Sequence, residues 1–325
     1  MKTIRVIQLV ILLVVVAVLI VVLVLGITGN FSMPFNKIFR NATISNSVLI
    51  YDQVYGGDEL KLVDTDLSSA DLEYHFSQSS EIRVVYYGPE SEKEAPLVKT
   101  MYENDTLRIT QQNRINVFNM ISGEKVVVYL PAGFDKEIVG VTASGNIEFY
   151  DDIKLNRLSL GLSSGNIRLN DLVVETVDIS VSSGKITADL VDAANYSFKM
   201  SSGNFKATEL VGTGDIISTS GNTDIDAYNG SGIIKSTSGN VDIGIIKLES
   251  SLDIDLTSGN VSVDIPSEQV NIGCHFNVLS GSIRTNFGNV DKNITGASFS
   301  HNLSNDQVNK LSIKTTSGNI RANLQ

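Results

Sequence analysis

Tryptophan is absent from this chain of 325 residues, which has only one cysteine and three histidines. The single cysteine, Cys274, excludes an internal disulfide framework and any Cys-x-x-Cys metal or redox site. The three histidines, His75, His275 and His301, argue against a histidine-based metal centre and against a Ser-His-Asp triad. Few residues are therefore left as candidates for catalysis or metal binding.

Positive charge is also scarce, because 25 Lys+Arg stand against 36 Asp+Glu and give a net charge of −11. This balance argues against a nucleic-acid partner, since phosphate contacts need a concentrated basic surface. Proline is rare, with five residues against 26 glycines, and Ser, Thr, Asn and Asp are frequent. This composition is typical of a turn-rich β protein rather than of a disordered chain.

The chain has one long hydrophobic run, residues 6–25, interrupted only by Gln8. As a helix this run would be about 30 Å long, the thickness of a hydrocarbon core. We predict an uncleaved transmembrane anchor at residues 1–27; the alternative is a cleaved signal peptide, whose apolar region is usually shorter. Lys2 and Arg5 favour a cytoplasmic N-terminus. We therefore expect a single-pass protein of the cell membrane with an extracytoplasmic body, the alternative being a cytoplasmic body.

A Ser-Gly-Asn turn recurs through the C-terminal half of the chain. Serine precedes all nine turn glycines and asparagine follows seven of them, with Lys185 and Ser282 as the exceptions. Successive glycines are 18 to 22 residues apart, except for a last gap of 37. A period of this kind indicates a repeat architecture. The turn glycines are Gly145, Gly165, Gly184, Gly203, Gly221, Gly239, Gly259, Gly281 and Gly318.

Apolar and polar residues alternate on both sides of each turn, which predicts strands. Before Gly165, for example, Leu158, Leu160 and Leu162 alternate with polar or small residues. One strand–turn–strand unit cannot bury its apolar face alone. We therefore predict an all-β fold in which successive units stack as a single-stranded parallel β-solenoid, also called a β-helix.

The turn residues have a complete structural role in such a stack. Glycine supplies the positive φ of a sharp corner, asparagine can stack on its equivalents as a hydrogen-bonded ladder, and serine can bond nearby backbone amides. We therefore interpret the nine turns as structural corners and not as a ligand site.

Two departures from regularity carry predictions. The gap of 37 residues is close to two periods, which predicts one more unit that has lost its turn, with residues 287–290 as its remnant. The two units with the shortest spacing place Gly214 and Ser218, and then Gly232 and Ser236, at inward positions. We expect these two units to be thin, with less apolar burial than their neighbours.

Residues 43–137 follow the same alternation less regularly. We predict a linker at 28–42, an irregular β cap at 43–137 that begins the stack and covers its open edge, and the Ser-Gly-Asn repeat at 138–325.

The apolar N-terminal run, the Leu130-Pro131 segment before the first turn and the series of Ser-Gly-Asn turns resemble a bacterial family. This family is labelled "putative adhesin" or DUF4097 and includes LiaG-like membrane proteins. The resemblance covers about residues 43–325 and implies a cell-envelope protein with a β-solenoid ectodomain. It is specific for the fold and implies little about activity.

Outward carboxylates are the remaining candidates for chemistry. Asp224 and Asp242 take the same outward position in consecutive units, where carboxylates about 5 Å apart could bind Ca²⁺ or raise a pKa. The set comprises Asp224, Asp226, Asp242, Asp253, Asp255 and Asp264. The same outward column also contains Arg168, Lys206, Ser262 and Arg321. A mixed column is typical of a solvated face, and Cys274 takes an inward position, so we predict no catalytic, cofactor-binding or metal-binding residues.

Three functions from different classes follow from these observations. The leading hypothesis is a non-enzymatic, membrane-anchored surface module, adhesin-like, that binds a cell-wall polymer or an envelope protein, or acts as a scaffold. The second, suggested by the family resemblance, is a LiaG-like accessory protein of an envelope-stress response. The third is a carbohydrate-active enzyme, for which Tyr150, Tyr196 and Tyr228 are candidate sugar subsites and Asp224 or Asp255 a candidate acid.

Overall fold

Extended strands make up most of the described chain. The computed structural model of the protein describes residues 47–57, 59–112, 123–267, 271–287, 294–303 and 309–325. Apart from one 3-10 turn, Glu90–Glu92, every helix or strand in those ranges is a β-strand, which confirms the all-β class. The strands are β1 (Val48–Gly56), β2 (Leu62–Leu67), β3 (Asp71–Ser77), β4 (Glu81–Gly88), β5 (Val98–Glu103), β6 (Thr106–Gln111), β7 (Lys125–Pro131), β8 (Glu137–Ser144), β9 (Ile147–Phe149), β10 (Ile153–Ser220), β11 (Thr223–Ser238), β12 (Val241–Ser258), β13 (Val261–Ile265), β14 (Ile272–Ser280), β15 (Ser282–Thr285), β16 (Ile294–Thr295), β17 (Ser298–Asn302), β18 (Asn309–Ser317) and β19 (Ile320–Leu324).

The alternation read from the sequence sets which side chains enter the core. Leu252, Ile254 and Leu256 are buried, while Asp255 between them is exposed. The same pattern repeats along the described strands and gives one contiguous hydrophobic core. Burial of these apolar side chains is the main stabilising contribution that the repeat can supply.

Neighbouring repeats pair in parallel at an offset of about one repeat. We call each strand–turn–strand unit a lap. Strand β11 pairs in parallel with both β10 and β12, so that Phe205 lies opposite Thr223 and Thr223 lies opposite Val241. Strand β10 is long because its extended backbone runs through several of the corners without a break.

The corner glycines lie one above another in a single file. A Cβ built on Gly239 would come within 1.9 Å of the carbonyl oxygen of Gly221, and one on Gly259 within 1.8 Å of that of Gly239. Gly239 also has a φ of 152°, as expected for a corner glycine. Gly203 is the exception among the nine, because only the close approach of Gly184 and not a positive φ requires glycine there.

The asparagines that follow the glycines form the expected ladder. Asn222 Oδ1 accepts a hydrogen bond from the backbone N–H of Asn240 at 2.9 Å, and Asn240 Oδ1 accepts one from Asn260 at 3.0 Å. At Lys185 the backbone N–H still donates to Asn166 Oδ1 at 3.1 Å. The lysine has no side-chain carbonyl to accept a hydrogen bond from the backbone N–H of Asn204 in the next lap, so the ladder is interrupted at this position.

The order of laps at the N-terminal end differs from their order in the chain. Strands β2 and β3 pair on one side with β8 and β9 and on the other with β6 and β7. The lap of residues 62–77 is therefore inserted between two laps that follow it in sequence. Strands β4 and β5 then pair antiparallel with β7 and β6, and β1 pairs antiparallel with β4.

The C-terminal end repeats this interleaving. Strands β18 and β19 pair in parallel with β12 and β13 on one side and with β14 and β15 on the other. In the file of corners, Gly318 accordingly lies between Gly259 and Gly281. The predicted extra lap in the 37-residue gap is wrong, because the described residues between β15 and β18 form β16 and β17, which pair antiparallel with β15 and β14. Residues 288–290 of the predicted remnant lie outside the described residues.

The two short laps contain a polar core position, and a tyrosine of these laps pairs with a tyrosine of the lap before them. Ser218 Oγ donates to Ser236 Oγ at 2.9 Å in the interior. The rings of Tyr196 and Tyr228 are buried nearby, and their hydroxyl oxygens are 3.0 Å apart. Burial raises the pKa of Tyr228 to about 12, so this pair stays neutral.

Within the ranges given above, no helix is long and apolar enough to cross a membrane. The predicted anchor and linker, residues 1–42, lie outside the described residues.

Candidate functional site

The outward side chains that follow the corners form a surface that we call the post-turn face. It comprises the third and fifth positions after each corner glycine, where the strand alternation points side chains away from the core. Parallel pairing keeps these positions in register, as in the series Lys206, Asp224, Asp242, Ser262 and Arg321. The second column begins with Tyr129 of β7 and His75 of β3, which are in register with the fifth positions, and continues with Tyr150, Asn170, Asp189, Thr208, Asp226, Gly244, Asp264, Asn323 and Asn286.

Four of the carboxylates singled out in the sequence lie together on this face. Asp224 and Asp242 are register partners, and Asp264 pairs with Gly244 in the adjacent column. Lys206 Nζ lies 2.9 Å from Asp224 Oδ2 and 4.0 Å from Asp226 Oδ1, so it neutralises one end of the group. The cluster is held by the fold, but it carries a counterion and faces solvent.

The pKa of Asp242 is raised above its ordinary value. Burial raises its pKa most, and the negative charges of Asp224, Asp264 and Asp226 raise it further. A hydrogen bond with Ser262 acts in the opposite direction. The protonated form of Asp242 is therefore favoured more than in an isolated aspartate.

A cleft interrupts the face beside this cluster, because Gly244 has no side chain where its neighbours in the column have a carboxylate. The cleft has a volume of about 390 Å³ and is lined by Asp226, Asp264, Ile246 and Pro266, among others. Asp264 Oδ1 accepts a hydrogen bond from Asn323 Nδ2 at 2.9 Å. In the described part of the chain, no three His, Cys, Asp or Glu side chains converge in a geometry that could hold a metal ion.

The other two singled-out carboxylates are not part of this group. Asp253 and Asp255 lie on the strand before the corner, on a different outward surface from Asp264. Asp255 is opposite Lys235 on one side and Lys314 on the other. This environment is that of a solvated charged column.

Three aromatic side chains stack at the N-terminal end of the post-turn face. The ring centroids of Tyr129 and His75 are 5.2 Å apart, and those of His75 and Tyr150 are 4.7 Å apart with planes inclined by 7°. We call Tyr129, His75 and Tyr150 the aromatic row. Tyr150 at its inner end is 46% exposed.

Polar and charged side chains surround the aromatic row. Glu73 receives a hydrogen bond from Tyr150 Oη at 3.5 Å, and Lys125 Nζ lies 3.3 Å from the same carboxylate. The Arg83 guanidinium lies over the Tyr129 ring, 5.5 Å from its centroid. Hydrogen bonding to Glu148, burial and the charge of Glu73 all raise the pKa of Tyr150.

Only part of this row was visible in the sequence. The sequence predicts Tyr150, Tyr196 and Tyr228 as candidate sugar subsites, but Tyr196 and Tyr228 are buried in the core and cannot serve as surface subsites. Tyr129 and His75 were missed because the neighbouring laps that carry them are interleaved. The alternation in β3 and β7 does predict both as outward residues, and a correct lap order would have placed them beside Tyr150.

The other single residues keep the roles that their positions predict. Cys274 is fully buried, and burial raises the pKa of its thiol to about 12, which opposes formation of a thiolate. His275 is exposed, and its Nδ1 is 2.9 Å from Ser300 Oγ.

Solved structures share this fold at low sequence identity. A putative adhesin from Parabacteroides distasonis ATCC 8503 matches with a TM-score of 0.54 and 12% identity, over 85% of this chain and 98% of that one. A putative adhesin from Parabacteroides merdae ATCC 43184 matches with a TM-score of 0.50 and 12% identity, over 84% and 95% of the two chains. No curated protein matches the sequence. The sequence profile described as Toastrack DUF4097 matches residues 61–323, and because this range is most of the chain, the protein belongs to the Toastrack DUF4097 family.

Proposed function

We propose that this protein is a non-enzymatic, membrane-anchored surface module of the bacterial cell envelope, wound as a single-stranded β-solenoid. Its post-turn face binds a polymer of the cell wall. The observation that carries the proposal is the register of that face, in which parallel pairing holds one outward side chain of each lap in a continuous column.

A column of this kind suits an extended polymer better than a small molecule. Like side chains of neighbouring laps are about 4.8 Å apart and are fixed by backbone hydrogen bonds. A polymer lying along the column can therefore make repeated weak contacts, whose free energies add along its length. Strand backbones that are bonded on both sides lose little further entropy on binding.

The side chains of the face favour binding over catalysis. Its carboxylates are distributed along exposed strands, and Asp224 is paired with Lys206. The described thiol, Cys274, is buried in the core.

Anchoring and sidedness rest on the sequence. The apolar run at residues 6–25 is long enough for a spanning helix, and the basic residues before it favour a body outside the cytoplasm. Digestion of intact cells with an external protease tests both, because the proposal expects the body to be cleaved while a cytoplasmic control protein survives.

Co-sedimentation with purified bacterial cell walls tests the binding face. The test variant removes three cations from the post-turn face, as Arg168→Ala, Lys206→Ala and Arg321→Ala together. The matched control removes three exposed cations from the strands before the corners, as Lys199→Ala, Lys235→Ala and Lys314→Ala. Both variants change the net charge equally, and their folding is compared by circular dichroism.

We expect the full chain to sediment with the walls, the first variant to lose at least half of the bound fraction and the control to retain it. The proposal fails if the full chain does not sediment. It also fails if both variants lose binding equally, because the attraction would then depend on net charge and not on the post-turn face.

A further inference from the structure

The aromatic row has a geometry that core packing does not explain. His75 and Tyr129 project from the outward side of β3 and β7, and Tyr150, the residue after β9, leaves almost half of its surface in solvent. Exposed aromatic surface gains nothing from burial on folding, whereas tyrosine is well suited to a contact that is apolar on one side and wet on the other. We therefore consider the aromatic row as a contact surface for a separate molecule.

The rings are held rigidly before any ligand arrives. Asp151 Oδ2 accepts a hydrogen bond from the backbone N–H of Phe76 at 2.8 Å, and this carboxylate lies 3.9 Å from His75 Nδ1. His75 is stacked between two tyrosine rings. A ligand would meet a surface whose side chains have already lost their rotamer freedom, which lowers the entropic cost of binding.

Two cations beside the row are already paired within the protein. Arg83 makes two hydrogen bonds to Asp52, at 2.8 Å and 2.6 Å, and Lys125 is paired with Glu73. A free ion would gain little from groups that already compensate each other. The remaining lone pairs and N–H groups can still bond to neutral hydroxyl and amide groups.

The row continues into short polar side chains and not into further rings. In the next lap Asn170 Nδ2 donates to the Tyr150 carbonyl oxygen at 2.7 Å, and Asp189 and Thr208 follow in the same column. In the described residues Tyr150 stacks on His75 alone, so the face of its ring toward Asn170 carries no second ring. This arrangement places an aromatic platform at the start of a strip of hydrogen-bonding groups.

We infer that the aromatic row and the strip beyond it form a binding site for a neutral saccharide chain. A pyranose ring has an apolar C–H face, which can lie against Tyr150, and a rim of hydroxyls, which can bond to Glu73, Asn170 and Asp189. This inference rests on the proposed function and names the chemical class of the polymer segment that binds at this end of the post-turn face. Asp189 gives this strip a negative charge, so the units bound here are neutral, whereas the cations Lys206 and Arg321 lie in laps of the post-turn face other than that of Asp189.

Nuclear magnetic resonance of the histidine side chains gives a direct readout, since the chain has only three histidines. The full chain is kept in a detergent without a sugar headgroup and titrated with neutral tetrasaccharides of N-acetylglucosamine, glucose, mannose and galactose. His75→Gln assigns the His75 signals. We expect at least one tetrasaccharide to shift the ring signals of His75 and to leave those of His275 and His301 unchanged.

Variants then separate the ring from its hydroxyl. Tyr150→Ala should weaken binding of that tetrasaccharide at least tenfold, whereas Tyr150→Phe keeps the ring and should stay within about threefold of the parent. Leu279→Ala is the control, because it removes an exposed apolar side chain, 72% exposed, at the opposite end of the chain. It should leave the affinity unchanged.

The inference is overturned if none of the tetrasaccharides shifts His75 at millimolar concentration, or if wall-derived peptides shift it instead. It is also overturned if Tyr150→Ala binds as the parent does. Each of these results leaves the sedimentation test of the post-turn face untouched, so the saccharide site and the proposed function can fail separately.

Discussion

At the scale of single residues, the backbone of one lap dictates the corner residue of the next. The carbonyl oxygen of Gly221 occupies the place where a Cβ of residue 239 would be, and Gly239 also has a positive φ. Any side chain at this corner must push two laps apart or change the backbone conformation. Glycine is therefore required here by contact as much as by conformational freedom.

Gly239→Ala should lower the free energy of unfolding by at least about 2 kcal/mol, the combined cost of backbone strain and overpacking. Gly161→Ala is the matched control, because its Cβ would meet only the Val141 side chain at 3.5 Å, an ordinary contact. We expect the control to change stability by less than about 1 kcal/mol. Urea denaturation measures both, and equal losses would contradict the stacked corner.

Substitution of Lys185, the residue after the corner glycine Gly184, should stabilise the protein. Lys185→Asn restores a side-chain carbonyl next to the backbone N–H of Asn204 and should add about 0.5–1 kcal/mol to the free energy of unfolding. Lys185→Ala removes the same charge without adding the carbonyl. If the alanine variant is as stable as the asparagine variant, the gain comes from the charge and not from the ladder.

The raised pKa of Asp242 predicts that this residue lowers the stability of the protein at neutral pH but not at acidic pH. Its pKa is raised in the folded protein, so the ionised form destabilises the fold at neutral pH, and the penalty disappears as the pH falls below the ordinary aspartate pKa. Asp242→Asn should therefore raise the Tm at pH 7, with a gain that shrinks on acidification. Asp255→Asn, opposite two lysines, should give no such gain; a pH-independent effect of Asp242→Asn would contradict the explanation.

Inward and outward positions could be predicted from the sequence because strand alternation is local. Leu252, Ile254 and Leu256 are buried as their spacing indicates, and so is Cys274. The aromatic row could not be predicted in the same way. It depends on which laps are neighbours, and the pairing of His75 with Tyr129 joins segments separated by β4, β5 and β6.

At the scale of elements, the last lap but one at each end of the stack is inserted between two laps that are closer to each other in sequence order than in space. Strands β18 and β19 have parallel partners on both sides, whereas the period of the corners predicted only their existence. A spacing of 37 residues is compatible with either a lost turn or a detour through antiparallel strands. Only the pairing partners distinguish the two, which is why the sequence interpretation of this gap was wrong.

Deletion of residues 309–325 tests the inserted lap. The deletion should strip the partner from β12 and β14 at once, so that the amides of residues 272–280 lose hydrogen-exchange protection although their own sequence is intact. The exposed strand edges should also promote association, which size-exclusion chromatography with light scattering detects.

Residues 158–206 provide the internal control for this deletion. These residues and their strand partners lie several laps away from the deleted residues. Because laps interact only with their neighbours, the hydrogen-exchange protection of residues 158–206 should stay unchanged. If residues 272–280 remain protected after the deletion, β14 does not depend on the inserted lap, and the interleaved order is incorrect.

At the scale of the whole molecule, stability in such a stack is a sum of contributions from laps and from the contacts between neighbours, and it need not be uniform. The weakest place should be where the inward side chains are smallest. Ser218 and Ser236 occupy inward positions whose equivalents in other laps are Val181 and Val278. The buried rings of Tyr196 and Tyr228 fill part of this region, but the serine pair still buries less apolar area than two valines.

Native-state hydrogen exchange should therefore be faster at residues 214–244 than at residues 158–206, because local opening there exposes less apolar surface. The double variant Ser218→Val with Ser236→Val removes both hydroxyls together and leaves no unpaired partner, so it should slow exchange at residues 214–244 without affecting 158–206. The single variant Ser218→Val leaves Ser236 without its hydrogen bond and should not give this gain. Equal protection of the two segments in the parent chain would show that the tyrosine pair compensates fully for the small side chains, and the stack would then have no preferred opening point.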